Sequence, residues 1–161
     1  MKKILVVDDE EKITSFLKTY LEETLKYQVH VAHSGESAYK EANSFHPDLI
    51  LLDIIMPNMD GNQLIETLKG NPDTEKILIV VTSGLGEMVY HEKKDRWKWE
   101  PNRKVVKDRG QIIREKDAQR ASEAYGVDDF LAKPFSPDTL KIVISEVFEK
   151  FEKNQRPPNE A

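Results

Sequence analysis

Short runs of apolar residues recur along the chain, and segments with a helical period lie between them. Continuous apolar runs at Ile4–Val7, Leu49–Leu52 and Ile77–Val81 contain no polar residue. Such runs are typical of strands that are covered on both faces of a sheet. Weaker strand patterns at Gln28–Ala32 and Asp129–Ala132 bring the number of predicted strands to five.

Apolar residues between these strands recur every three or four positions, which indicates helices with one buried face. The first helix carries one apolar stripe, formed by Ile13, Phe16, Leu17, Tyr20, Leu21 and Leu25. Further helices are predicted from Ser34 to before Pro47, through Leu64–Leu68, before Gly126, and from Ser136 or Asp138 to Phe151. This alternation predicts an α/β fold, a doubly wound five-stranded parallel sheet with helices on both faces.

Composition and charge narrow the possible functions. The 161 residues include no cysteine, which excludes disulfides, thiolate metal sites and a cysteine nucleophile. The net charge of −5 gives no overall attraction to nucleic acid or to an anionic membrane. The basic start Met1–Lys3 precedes an apolar run that is too short for a signal peptide, so we expect a cytoplasmic protein.

Five polar residues fall at the ends of the predicted strands. Asp8 and Asp9 follow the first strand, Asp53 ends the third, Thr82 ends the fourth and Lys133 follows the fifth. In a doubly wound sheet these positions meet at one edge, where such folds bind ligands. Clustered carboxylates repel one another, and Mg²⁺ is a cation that relieves this repulsion through oxygen ligands. A hydroxyl and a lysine suit the oxygens of a transferring phosphoryl group.

Each of these residues has a simpler explanation when it is taken alone. Asp8 or Asp9 could cap the first helix, Lys133 could lie on the surface, and Thr82 could simply end a strand. Asp53 is harder to explain in this way, because it closes a buried apolar run where an unpaired carboxylate is costly. The coincidence of all five positions is what indicates a site.

Several segments together resemble the receiver domains of two-component response regulators. They are Ile4–Glu10, Pro47–Asp53, Met56–Pro57 with Asp60–Gly61, Val81–Ser83 and Phe130–Phe135. The resemblance extends over nearly the whole chain except residues near 84–116. It implies the flavodoxin-like strand order 2-1-3-4-5 and a phosphoacceptor protein that is not an enzyme beyond its own phosphorylation and dephosphorylation.

The resemblance also implies a role for each matching residue. Asp53 accepts a phosphoryl group from a phosphohistidine on a histidine kinase or a phosphotransfer protein. Asp9, Asp53 and the backbone carbonyl of Ile55 bind Mg²⁺, and Asp8 acts largely through metal-bound water. Lys133 pairs with Asp53 before transfer and with the phosphoryl group after it.

Two further residues are implied to respond to phosphorylation. Thr82 moves inward to bind the phosphoryl group, and Phe130 occupies the position of an aromatic switch residue. Phe130 is equally consistent with an ordinary core aromatic. The four histidines, at positions 30, 33, 46 and 91, are scattered, and we expect them to be structural or solvent-facing.

The chain departs from the pattern between Thr82 and Lys133, whose separation is about twice what a loop, a helix, a turn and a strand need. We therefore predict an insert at approximately 87–115, which is basic and contains Trp97 and Trp99. Residues 97–99 and 104–107 have strand-like composition, which suggests a β-hairpin turning near Pro101. The insert is either a docking surface beside the site or a tolerated loop elaboration.

These observations favour a stand-alone response regulator, with a receiver domain at 1–153 and a polar tail at 154–161. We expect a downstream protein target, contacted through the fourth helix, fifth strand and fifth helix, and a monomer or a phosphorylation-dependent dimer. No nucleic-acid motif is present, so we expect no nucleic-acid partner.

Two alternatives stay open. One is a binding module that is never phosphorylated. The other is a phosphatase with an aspartyl nucleophile, although Ile55 stands where such enzymes usually need an acid–base carboxylate.

Overall fold

The computed structural model describes residues 1–56, 59–84, 86–91, 96–101, 126–133 and 135–155. Strands and helices alternate through most of this part of the chain. The strands are β1 (Lys3–Val7), β2 (Gln28–Ala32), β3 (Leu49–Asp53), β4 (Ile55–Met56), β5 (Met59–Asp60), β6 (Leu78–Gly84), β7 (Gly86–His91), β8 (Arg96–Pro101) and β9 (Asp129–Lys133). The helices are α1 (Glu11–Glu23), α2 (Gly35–Phe45), α3 (Gly61–Lys69) and α4 (Pro137–Gln155).

Five of these strands form one parallel sheet in the order β2-β1-β3-β6-β9. Counted along the chain, these strands stand in the order 2-1-3-4-5, which confirms the predicted fold class. The register places Ile4 beside both Val29 and Leu49, and Leu49 beside Leu78. Because all five strands run the same way, their carboxyl ends meet at a single edge of the sheet.

Helices cover both faces of this sheet, which explains why the strand sequences do not alternate. Ile4 and Val6 of β1 pack with Leu17 of α1 and Leu140 of α4 on one face. On the other face, Leu5 and Val7 belong to the cluster of α2 and α3, which includes Ala38, Ala42, Leu64 and Leu68. The central strands β1 and β3 therefore carry apolar residues at nearly every position, because odd and even side chains both enter a core. The edge strand β2 differs, since Gln28 and His30 are exposed.

The helix ends agree with the sequence signals. Ser34 caps α2 in a capping box with Ser37, and α2 ends at Phe45, before Pro47. Ser136 Oγ accepts from the Thr139 N–H at 3.1 Å, so Ser136 caps α4. The N-cap of α1 is Glu10, without a side-chain cap bond, so neither Asp8 nor Asp9 has the simple capping role.

Some element boundaries differ from the predictions. Strand β6 continues past Thr82 to Gly84, where it pairs with Lys133 of β9. The predicted turn after β3 contains a small antiparallel pair, in which Ile55 lies opposite Asp60. Helix α4 extends to Gln155, beyond Phe151, the last residue of the predicted helix. The helix expected before Gly126 lies outside the described residues, although Gly126 itself has the positive φ of 68° that its predicted C′ position requires.

The insert contains an antiparallel strand pair, one strand of which was predicted. The segment around Trp97–Trp99 is a strand, β8, but it pairs antiparallel with the preceding strand β7. The predicted partner, residues 104–107, lies outside the described part of the chain, so its pairing with β8 stays a prediction. Pairing with β7, which was not predicted, is favoured by the short connection between the two strands.

Among the residues that the structure describes, every helix falls short of the length and apolarity needed to cross a membrane.

Candidate functional site

The polar residues singled out in the sequence meet at the carboxyl edge of the sheet. Asp8 follows β1 and Asp53 is the last residue of β3. Thr82 lies directly opposite Asp53 in the register of β3 and β6, and Lys133 ends β9 opposite Gly84. Parallel pairing thus brings together residues that are up to 125 positions apart in sequence.

Three carboxylates form the centre of this site. Asp8, Asp9 and Asp53 each offer an oxygen, and these oxygens all lie within 4.8 Å of one another. Asp8 and Asp53 are only 2% and 5% exposed, whereas Asp9 is exposed. Negative charges at this separation repel one another. The cluster is therefore suited to a cation that approaches from the open side at Asp9.

Lys133 contributes a positive charge to the buried side of the cluster. Its Nζ lies 2.5 Å from Asp8 Oδ2 and 3.3 Å from Asp53 Oδ2. Burial alone lowers the pKa of Lys133, but the hydrogen bond to Asp8 and the charge of Asp53 outweigh this effect, so the net pKa is raised. Lys133 is accordingly a fixed cation, and it offsets only one of the three carboxylate charges.

The Asp8 side chain is held from two directions. Its Oδ1 accepts from the Glu10 backbone N–H at 2.9 Å, while Oδ2 accepts from Lys133. The side chain of Asp8 is therefore largely committed to protein contacts. Asp9, the exposed member of the cluster, is the one better placed to give an oxygen to a cation.

Thr82 and Phe130 lie beside the cluster, on adjacent strands. Thr82 is 3% exposed, and its carbonyl accepts from the Ile54 N–H at 3.3 Å, which ties the loop after Asp53 to β6. Phe130 is half-buried and packs against the core formed with α2 and α3. This contact is consistent with either interpretation of Phe130, so its switch role stays a prediction.

The loop after Asp53 is closely packed against the start of α3. A Cβ atom at Gly61 would lie 2.7 Å from Ile54 Cγ1 and 2.8 Å from Ile54 Cα. Only glycine allows this approach. The backbone that leads to Ile55 is thereby fixed, although the role of the Ile55 carbonyl as a metal ligand stays a prediction.

Sequence reasoning missed one contact at this site. His33 is solvent-facing, as expected, but its Nδ1 lies 3.1 Å from the backbone carbonyl oxygen of Asp8. The signal was available, because His33 immediately follows β2 and so lies at the same edge of the sheet. His30, in contrast, binds Glu41 at 2.8 Å and stacks on Phe45, away from the carboxylates.

The chain is similar to known signalling proteins. Residues 4–94 match the family model described as the response regulator receiver domain. The alkaline phosphatase synthesis transcriptional regulatory protein PhoP of Bacillus subtilis is 32% identical over 151 residues, which are 94% of this chain and 50% of PhoP. The transcriptional regulatory protein SrrA of Staphylococcus aureus is 33% identical over 135 residues, which are 84% of this chain and 43% of SrrA. The chain thus spans about half the length of these curated relatives.

Solved structures show the same architecture. The signal receiver domain of a signal transduction histidine kinase from Syntrophus aciditrophicus is 28% identical with a TM-score of 0.64, covering 100% of this chain and 98% of that one. Chemotaxis protein CheY4 of Vibrio cholerae has the same fold, with 22% identity, a TM-score of 0.65 and coverage of 91% of this chain and 98% of its own. Together with the family match, these likenesses show that the chain belongs to the response regulator receiver domains of two-component signal transduction.

Proposed function

We propose that this receiver domain is a phosphorylation-dependent switch in which Asp53 is the phosphoacceptor. The observation that carries the proposal is the environment of Asp53 at the end of β3. Its buried carboxylate lies 3.3 Å from Lys133 Nζ and within 4.8 Å of two further carboxylates, directly opposite Thr82. A buried aspartate with acidic neighbours, a lysine and a hydroxyl at one strand edge is the arrangement that aspartyl phosphate formation needs.

The proposed transfer uses a carboxylate oxygen of Asp53 as the nucleophile. This oxygen forms a bond to the phosphorus of a phosphohistidine on a sensor histidine kinase or a histidine phosphotransfer protein. The phosphorus–nitrogen bond breaks, its electron pair returns to the imidazole, and an acyl phosphate is left on Asp53. Lys133 then exchanges its contact with the Asp53 carboxylate for one with a phosphoryl oxygen, while Thr82 donates its hydroxyl to another.

The donor set fits Mg²⁺, because it consists of carboxylate oxygens close together and open to solvent on one side. Asp9 and Asp53, with the Ile55 backbone carbonyl, are the proposed ligands, and Asp8 acts through metal-bound water. When bound, Mg²⁺ neutralises charge on the carboxylates and on the transferring phosphoryl group. The residues of the chain supply orientation, since Lys133 and the Glu10 amide hold Asp8 in place.

Phosphorylation is proposed to shift a pre-existing equilibrium of the surface near β9 and α4. Thr82 and Phe130 are the residues that we assign to this switch. The output is contact with a downstream protein, by a monomer or by a phosphorylation-dependent dimer. PhoP and SrrA are named transcriptional regulators, which weighs against our expectation that nucleic acid has no part in the output. A DNA-binding partner downstream is therefore included in the proposal.

The test is incubation of the full chain with acetyl phosphate and Mg²⁺, followed by intact mass measurement. Stoichiometric gain of one phosphoryl group supports the proposal. Asp53→Asn should abolish this gain, whereas Asp48→Asn, at the opposite end of the same strand, should not. Labelling of Asp53→Asn at the native level would overturn the assignment.

The same experiment distinguishes the two alternatives. A binding module that is never phosphorylated gives no mass change with any donor. A phosphatase releases many equivalents of phosphate from a phosphoester for each protein chain. We favour the switch because the cluster combines three carboxylates with Lys133, which a purely structural binding module does not need.

A further inference from the structure

The backbone at the end of β1 is held by the neighbouring strand β2 and by the residue that follows it. The Asp8 N–H donates to the Ala32 carbonyl at 3.1 Å, which continues the ladder between the two strands. One residue later, His33 Nδ1 lies 3.1 Å from the Asp8 carbonyl oxygen. A carbonyl oxygen only accepts hydrogen bonds, so this contact assigns the proton to Nδ1 of His33.

This contact reaches the metal-binding cluster through the peptide bond between Asp8 and Asp9. The Asp8 carbonyl oxygen and the Asp9 N–H belong to one planar peptide unit. A hydrogen bond that holds the Asp8 carbonyl oxygen therefore also fixes the orientation of the Asp9 N–H. Asp9 is the exposed carboxylate of the cluster, so its orientation depends on its backbone more than on side-chain packing.

His33 is itself in a well-defined position. It follows Ala32, the last residue of β2, and precedes Ser34, which caps α2 with a complete capping box. Its exposed ring lies outside the two hydrophobic core clusters. Replacement of His33 should therefore remove the hydrogen bond to Asp8 without removing packing that the fold needs.

We propose that His33 is a positioning residue, which orients Asp9 for cation binding by holding the Asp8–Asp9 peptide plane. The inference rests on the proposed function, because it concerns the same Mg²⁺ site. Partners that orient metal ligands in this indirect way typically change metal affinity by about 10-fold to 100-fold when they are lost. A single, partly buried hydrogen bond belongs at the lower end of that range.

The experiment is a titration of the full chain with MgCl₂ alone, followed by the ¹⁵N amide signals of Asp9 and Glu10. His33→Ala should weaken the apparent Mg²⁺ affinity roughly tenfold. His33→Asn should restore most of it, because the Asn side-chain N–H₂ occupies nearly the position of Nδ1. His30→Ala is the matched control, since His30 lies three residues before His33, on β2, but binds Glu41, and the variant should leave the affinity unchanged.

A second measurement separates positioning from loss of structure. The free energy of unfolding without Mg²⁺ should differ little between the native chain and His33→Ala, and imidazole ¹⁵N shifts of the native chain should show the proton on Nδ1. Native affinity in His33→Ala, or equal weakening in His33→Ala and His33→Asn, would overturn the inference while the Asp53 proposal stands. Failure of the native chain to bind Mg²⁺ at all would overturn both.

Discussion

At the scale of single residues, the site depends on a balance of charge around Asp53. The negative charges of three carboxylates are partly offset by one lysine, whose Nζ contacts both Asp8 and Asp53. The sequence was sufficient to select these residues, since each lies where a parallel strand ends. It could not show that Lys133 Nζ lies closer to Asp8 than to Asp53, at 2.5 Å against 3.3 Å, because such small differences depend on side-chain packing.

Removal of the lysine should leave the cluster with more uncompensated negative charge. We predict that Lys133→Met binds Mg²⁺ more tightly than the native chain, by roughly fivefold if the ion pair contributes about 1 kcal/mol. The same variant should be phosphorylated more slowly by acetyl phosphate, because no cation replaces Lys133 at the phosphoryl group. Calorimetric Mg²⁺ titration checks the first part, and weaker binding in the variant would contradict it.

Gly61 should be intolerant of any side chain. Alanine at this position would place its Cβ within 2.9 Å of three Ile54 atoms, two of them backbone atoms. We expect Gly61→Ala to lower the free energy of unfolding by about 1–3 kcal/mol, the usual cost of overpacking, and to weaken Mg²⁺ binding as the loop after Asp53 shifts. Gly70→Ala is the control: its Cβ would meet the Glu66 carbonyl oxygen at 3.1 Å and the Thr67 carbonyl oxygen at 3.9 Å, both longer than the Gly61 contacts, so denaturation should show a smaller loss. Equal losses would contradict the role assigned to Gly61.

At the scale of elements, the pairing of β6 with β9 places Thr82 and Lys133 at the same edge of the sheet. Asp128, just before β9, accepts from the Ile79 N–H at 2.8 Å, and its own N–H donates to the Ile79 carbonyl at 2.8 Å. The strand patterns predicted both strands. The sequence could not show this cross-link, because Ile79 and Asp128 are 49 positions apart and joined across the insert.

The Asp128 link predicts a dependence of stability on pH. Burial raises the pKa of Asp128, although the Ile79 N–H and Lys69 act against this shift. A carboxyl whose folded-state pKa is raised binds more protons folded than unfolded, so its contribution to stability is complete below the unfolded pKa and is lost as pH rises through the folded pKa. Asp128→Asn keeps an acceptor for Ile79 but cannot ionise.

We therefore expect native stability to fall, relative to that of Asp128→Asn, as the pH rises from about 4 towards 7. Urea denaturation of both chains across this range measures the difference. The carboxylate cluster is common to both proteins and cancels in the comparison. A gap between the two stabilities that does not change with pH would show that Asp128 ionisation is not coupled to folding.

The hairpin of β7 and β8 follows β6 almost directly, but it contributes none of the residues assigned to the phosphoacceptor site. Deletion of residues 87–115 should therefore leave Mg²⁺-dependent phosphorylation of Asp53 by acetyl phosphate within about twofold of native, because a surface insertion of this kind is usually tolerated. Circular dichroism shows whether the shortened chain is folded. Loss of labelling in a folded chain would mean that the hairpin takes part in the site.

At the scale of the whole molecule, the fold could be predicted because the central strands β1, β3 and β6 carry apolar residues for both faces of the sheet. Among the described residues, the connections from β1 to β2, β2 to β3 and β3 to β6 each contain a helix. Because the carboxyl ends of parallel strands meet at one edge of the sheet, Asp8, Asp53, Thr82 and Lys133 could be grouped from their sequence positions alone. The pairing of β8 with β7 was not predicted, because the composition of residues 86–101 does not define which neighbouring segment pairs. The contact of His33 was not predicted, although its position directly after β2 places His33 at the same edge of the sheet as the carboxylates.

The central claim is that one carboxylate of the three, that of Asp53, accepts the phosphoryl group. An acyl phosphate is reduced by borohydride to an alcohol, which converts the modified aspartate to homoserine. The full chain is treated with acetyl phosphate and Mg²⁺, reduced, digested and sequenced by mass spectrometry. The account predicts homoserine at position 53 and aspartate at positions 8 and 9. Homoserine at position 8 or 9, or at no position in a chain that binds Mg²⁺, would contradict it.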